Sequence, residues 1–152
     1  MAEVWAAQNL LTDRQFAIKL VLPSLAARPD IVERFLQEAR ATGRLKHPAI
    51  VDVFDVGRAE DGRPFMVMEL LRGCTLDQHI RSVGTLDPLT ASVLMGRVAR
   101  ALVVAHRAGV VHRDLSSANI FLAASRDGKP WPKILDFGVS KLMRPRDRRV
   151  RT

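Results

Sequence analysis

The chain has 152 residues, 47% of them hydrophobic, and a formal net charge of +8. That length and composition suit one domain with a genuine core and exclude a disordered polymer. One cysteine, Cys74, rules out an intrachain disulfide framework and a cysteine-based zinc site, and it leaves a cytoplasmic setting as the expectation.

The N-terminus lacks the basic-then-apolar order of a secretory signal, and no apolar run approaches the about 18 residues of a membrane helix. Neither export nor a membrane span is therefore expected. The charge is uneven: residues 141–152 hold Lys141, Arg144, Arg146, Arg148, Arg149 and Arg151 against Asp147, which is +5 of the total. Such a tail can bind nucleic acid or anionic lipid. Without aromatics between the arginines it reads better as a solvated end, with residues 144–152 set apart as a basic tail.

In chain order, Val4 to Ala7 and Gln15 to Leu22 read as strands around the polar turn Thr12-Asp13-Arg14. The second strand carries Lys19 inside an apolar run. Alone, Lys19 reads as a charge that protects a sheet edge; the alternative is a phosphate-binding lysine aimed into a cleft. Asp30 after Pro29 has the Asp-x-x-Glu form of a capping box with Glu33, predicting a helix start. Ile31, Phe35 and Ala39 form its apolar line, with Val32 and Leu36 beside it. Glu38 lies next to that face, either solvated or paired with Lys19. Gly43 and Pro48 predict the helix end.

Ile50 to Val56 and Phe65 to Leu71 read as two further strands around the turn signal at residues 60–64, completing a small antiparallel sheet with one inserted helix. Gly73 interrupts, and Thr75 to Ser82 predicts a short helix. Asp87-Pro88 pairs a capping residue with a first-turn proline and opens the longest helix. Its buried face is Leu94, Val98, Ala101, Leu102 and Ala105, and Gly109 stops it. Ile120 to Leu122 and Ile134-Leu135 predict a hairpin with Asn119 at one end and Asp136 at the other. Cys74 is expected to pack rather than react.

The chemistry concentrates in His112-Arg113-Asp114-Leu115-Ser116-Ser117-Ala118-Asn119 and in Asp136-Phe137-Gly138. Asp114, Asn119 and Asp136 are oxygen-bearing side chains that follow apolar stretches. Such a group suits magnesium on nucleotide phosphates and leaves one carboxylate to steer an attacking hydroxyl. His112 read alone is a candidate ligand or base; His47 and His106 lack a second ligand at metal-site spacing.

These motifs, with Ala17-Ile18-Lys19, Glu38 and Met66-Val67-Met68-Glu69-Leu70 in order, resemble the eukaryotic-type serine/threonine protein kinases, most closely the soluble bacterial ones. The likeness covers residues 1–143. It implies an α+β, protein-kinase-like fold: an N-lobe over residues 1–70, an antiparallel sheet with one helix, then the first part of a helical C-lobe over 71–143. By the same resemblance, Lys19 would bind the α/β-phosphates of ATP and Glu38 would hold it. Asp114 would orient a protein substrate's hydroxyl, and Asn119 and Asp136 would hold Mg2+. Val4, Ala17 and Phe121 would sandwich the adenine with Met68 behind, and the backbone of Glu69 and Leu71 would bond the base edge. In this family the counterpart of His112 is packed and structural.

Departures from the pattern set further expectations. Ala2 stands at the third glycine position of a phosphate loop whose first two glycines would precede Met1. Ser116 replaces the lysine usual two residues after the catalytic aspartate. The turn from Ala123 to Pro132 is longer than usual, and the chain ends soon after Gly138. An exposed apolar face on the helix from Pro88 is the expected result, with marginal stability or self-association. The leading reading is phosphoryl transfer from ATP to Ser/Thr of a protein. Its alternatives are a catalytically impaired ATP- or partner-binding module (or a gene fragment) and, a distant third, nucleic-acid binding through the tail.

Overall fold

A computed structural model describes residues 2–124 and 129–137. The tip of the long turn, Gly138 and the basic tail lie outside the described residues. Strands β1 (Ala2–Gln8), β2 (Gln15–Val21), β3 (Val53–Arg58) and β4 (Pro64–Glu69) form a sheet in the order β1-β2-β4-β3. All of its neighbours are antiparallel, and the register sets Val4 opposite Lys19 and Ala17 opposite Met68. Between β2 and β3 run a short helix α1 (Pro23–Ala26) and the longer α2 (Pro29–Gly43).

Helix α2 buries Ile31, Phe35 and Ala39, as its period-3.6 pattern requires, and also Thr42. Ile31, Phe35 and Ala39 meet Val21, Val53 and Met66 of the sheet in an upper core. The expected capping box is absent. Arg28 is the N-cap residue and contributes no capping side chain. Asp30 lies inside the first turn and accepts from Arg28 Nη2 at 3.0 Å, while Glu33 accepts from Gln37 at 3.1 Å. Proline at the first helical position supplies the start, and the nearby arginine takes the carboxylate a cap would have used.

The third strand begins at Val53, not at Ile50. Val51 N–H instead donates to the Ile134 carbonyl at 3.1 Å, and Ile134 N–H donates to Ala49 at 2.8 Å. Leu45, Ala49 and Ile50 thereby pack into the lower core with Leu94, Val98, Ala101, Ile120, Leu122 and Phe137. An apolar run is compatible with either core; a long-range partner, Ile134, decides between them.

The lower half contains β5 (Gly73–Thr75), α3 (Leu76–Val83), α4 (Pro88–Arg107), a 3-10 turn (Ser117–Asn119), β6 (Ile120–Ala123) and β7 (Trp131–Ile134). Strands β5-β6-β7 form a second antiparallel sheet. Residues 73–75, expected to lead directly into a helix, pair with β6 first. Thr75 then caps α3 in a full capping box with Gln78. Asp87 caps α4 by accepting from Thr90 N–H at 2.9 Å, and Gly109 ends the segment at φ 75°.

One correction concerns α4. Within its 20 residues an 18-residue window has a mean hydropathy of 1.4, so length and composition alone would let it cross a membrane. Here Leu94, Val98, Ala101 and Ala105 are buried in the lower core. Arg97 stacks on the Trp131 ring, its guanidinium carbon 3.9 Å from the centroid. The opposite side leaves Met95 39% and Val103 47% exposed.

Candidate active site

Lys19 projects from β2, and α2 packs against the sheet so that Glu38 meets it: Nζ to Oε1 is 3.0 Å. From the segment after β7, Asp136 Oδ1 reaches the same ammonium at 2.7 Å. Asp136 adopts φ 44°, a left-handed conformation unusual for a non-glycine residue. Next to it Phe137 is 1% exposed and packs against His112 with ring centroids 5.0 Å apart and planes tilted by 51°.

His112 is 2% exposed. Its Nε2–H donates to the Leu135 carbonyl at 2.8 Å, and its Nδ1 accepts from Asp114 N–H at 3.4 Å. Both ring nitrogens are thus committed to backbone, and the residue is structural. His47 has one ring nitrogen committed to backbone, Nδ1 accepting from Ala49 N–H at 3.1 Å.

Asn119 Nδ2 donates to the Asp114 carbonyl at 2.8 Å, and Leu135 N–H donates to the Asn119 carbonyl at 2.9 Å. These bonds tie Asp114, Asn119 and the residue before Asp136 to one another across two separate stretches of chain. Arg113, at φ 61°, is the strained residue that makes the turn into Asp114.

Lys19 and Asp136 stand at one end of a cavity of about 190 Å3, lined also by Val4, Ala17, Met68, Glu69, Leu71 and Phe121. Every residue expected to enclose a base is therefore present. Glu38 stands behind Lys19, and Asp114 and Asn119 are joined to the cavity through Leu135 instead of lining it. Three further lining residues, Val51, Leu70 and Leu135, are not among the residues the sequence reading assigned to the site. Leu70 and Leu135 flank expected motifs and were legible by adjacency; Val51 was not, having been assigned to the upper sheet. A wider depression of about 570 Å3 behind α2 includes Val32, Leu36, Arg40 and Arg58, but it has no counterpart of the Lys19–Asp136 pair.

The electrostatics of the trio are unequal. Burial pulls the Lys19 ammonium down, but the Asp136 and Glu38 carboxylates outweigh it and hold its pKa above the usual lysine value. Burial pushes the Glu38 carboxyl up, Lys19 pulls it down, and repulsion from Asp136 leaves it raised overall. The two directions agree with the count: one ammonium serves two carboxylates. The surplus negative charge, and the oxygen of an Asn119 amide whose nitrogen is already engaged, suit a hard divalent cation. No group of three His, Cys, Asp or Glu converges among the described residues. Magnesium needs none, since one or two protein oxygens plus phosphates and waters satisfy it.

The model of the protein kinase domain family matches residues 1–152. The chain belongs to the protein kinase family. It is 38% identical over 144 residues to the probable serine/threonine-protein kinase PknB of Corynebacterium glutamicum, covering 93% of this chain and 22% of that protein. Against the serine/threonine-protein kinase PknA of Mycobacterium tuberculosis, identity is 36% over 145 residues, covering 93% of this chain and 33% of that one. The solved kinase domain of PknI from M. tuberculosis superposes with a TM-score of 0.75 and 31% identity, over 93% of this chain and 55% of that one. The chain thus spans a fifth to a third of these curated relatives' length. The α+β kinase architecture and the serine/threonine class of its relatives are as the motifs implied.

Proposed function

We propose that this chain is the ATP-binding and catalytic portion of a serine/threonine protein kinase. The observation that carries the reading is Lys19 Nζ held between Glu38 at 3.0 Å and Asp136 at 2.7 Å, at the end of an apolar cavity. The adenine lies between Val4 and Ala17 above and Phe121 below, with Met68 behind. The Glu69 and Leu71 backbone faces the base edge. Lys19 neutralises the α/β-phosphates, and Glu38 keeps it from swinging away. Asn119 and Asp136 would hold Mg2+, which when bound supplies charge neutralisation on the phosphates.

Asp114 aligns the substrate serine or threonine hydroxyl and accepts its proton as the new oxygen–phosphorus bond forms and the bond to ADP breaks. Positioning carries most of such a reaction, so no covalent enzyme intermediate is required. A cytoplasmic setting belongs to the same proposal, supported by ATP as cosubstrate. So does self-association through the exposed Met95–Val103 side of α4.

A second reading, ATP binding without turnover, is favoured by Ser116, because a hydroxyl cannot offset charge on the transferring phosphoryl group as an ammonium would. Calorimetric titration with MgATP and a labelled-phosphate transfer assay on a Ser/Thr-rich protein separate the two. The kinase reading expects binding that Lys19→Ala abolishes, and transfer that Asp114→Asn lowers by about a thousandfold or more while leaving binding intact. Binding without any transfer by the unaltered chain selects the second reading. Absence of MgATP binding removes both.

A further inference from the structure

Lys133 stands on β7, opposite Phe121 of β6 in the register. Its Nζ forms an ion pair with Glu69 Oε1 and reaches the Ile50 carbonyl at 3.4 Å. The same Glu69 oxygen accepts from Asp52 N–H at 2.8 Å, and Glu69 N–H donates to Asp52 at 3.0 Å. The side chains of Lys133 and Glu69 are only 14% and 23% exposed, so water screens the pair weakly.

The Lys133 end of this pair lies outside the cavity lining. Glu69 lines both the cavity and a depression on its outer side, whereas Lys133 lines the outer depression alone. A ligand in the cavity would not touch the ammonium. Residues 70–72 cross between the two sheets without strand pairing. Their far end is held by Ala124 N–H on the Arg72 carbonyl at 2.7 Å. At their near end, Lys133–Glu69 is the side-chain tie to the lower sheet.

We propose that Lys133 is a positioning residue for the nucleoside end of the site. Through Glu69 it sets the distance between the connecting backbone and the Phe121 floor, and so sets affinity for the base independently of the phosphates. The inference rests on the nucleotide reading above. Its physical basis is that backbone hydrogen bonds to a ligand edge weaken steeply once the backbone is displaced or tilted. A charge-assisted, half-buried pair holds that backbone more firmly than a neutral contact does.

The test compares adenosine, MgATP and inorganic tripolyphosphate with magnesium as ligands of the full chain, by calorimetry. Lys133→Met should weaken adenosine and MgATP about tenfold, the effect of losing one charge-assisted bond. Tripolyphosphate should bind unchanged, and Lys133→Arg should restore the base affinity. Unchanged adenosine affinity in a cooperatively folded Lys133→Met overturns the proposal. Parallel weakening of adenosine and tripolyphosphate also overturns it, because that marks general damage. Should Lys133→Met not fold, Glu69→Gln, which keeps the shape and removes the charge, is read by the same outcomes. If the unaltered chain binds neither adenosine nor MgATP, the nucleotide reading itself fails, a result distinct from a failure confined to Lys133.

Discussion

Lys19 and Glu38 serve the site without serving the fold equally. Because the Glu38 carboxyl is held above the ordinary 4.5, the folded chain binds that proton more tightly than the unfolded chain does. Its stabilising contribution is thus present below 4.5 and is lost as pH rises through the folded value. At neutral pH the buried carboxylate is a cost. Lys19 has the same sign in a higher window: its raised value adds stability that is still fully present at neutral pH and persists until pH climbs past the ordinary 10.5 and through the folded value. Glu38→Gln is therefore expected to change stability at pH 7 by no more than about 1 kcal/mol, since Asp136 still neutralises Lys19. The same change should weaken MgATP binding severalfold. Urea unfolding beside nucleotide titration checks the divergence; a stability loss of several kcal/mol would show Glu38 to be a structural ion-pair partner first.

At the scale of elements, the lower sheet is sensitive at one backbone contact. Gly73 sits at φ 141°, and a Cβ built there would lie 2.0 Å from the Leu122 carbonyl oxygen. Backbone cannot yield as a flexible side chain would. Gly73→Ala should cost about 2 kcal/mol or more, measured by denaturant unfolding. Since β5 pairs with β6 from Gly73 to Thr75, it should also loosen Phe121 and lower base affinity. Helix α4 was legible from its cap, its proline and its apolar period. The strand at Ile50 was not, because an apolar run of that length carries no mark of which core receives it.

For the molecule as a whole, two cores share the work. An upper one is built on α2 and the first sheet, and a lower one on α4 and the hairpin. The site lies between them, which is why its residues come from β1, β2, α2, β4, β6 and the segment after β7. The exposed Met95 and Val103 leave an apolar side of α4 facing solvent. Sedimentation velocity should show concentration-dependent self-association, and Met95→Lys with Val103→Glu should remove it with little change in thermal midpoint, because neither side chain is in a core. A chain that sediments as a monomer at every concentration would refute that expectation.

Taken alone, the sequence determined the family, the two motif segments and nearly every wall of the cavity. Catalytic chemistry of this kind needs particular polar residues at short, fixed spacings, and these are written locally. It also showed where α4 starts and why, since caps are local hydrogen-bond arithmetic. Only the tertiary structure decided that Asp136 shares Lys19 with Glu38, that Val51 leaves the upper sheet for Ile134, and that Lys133 grips Glu69. Each of those contacts joins residues 64 to 117 positions apart or sets two cores in competition for one segment. No local pattern records such a pairing, because its energy exists only once both sheets are in place.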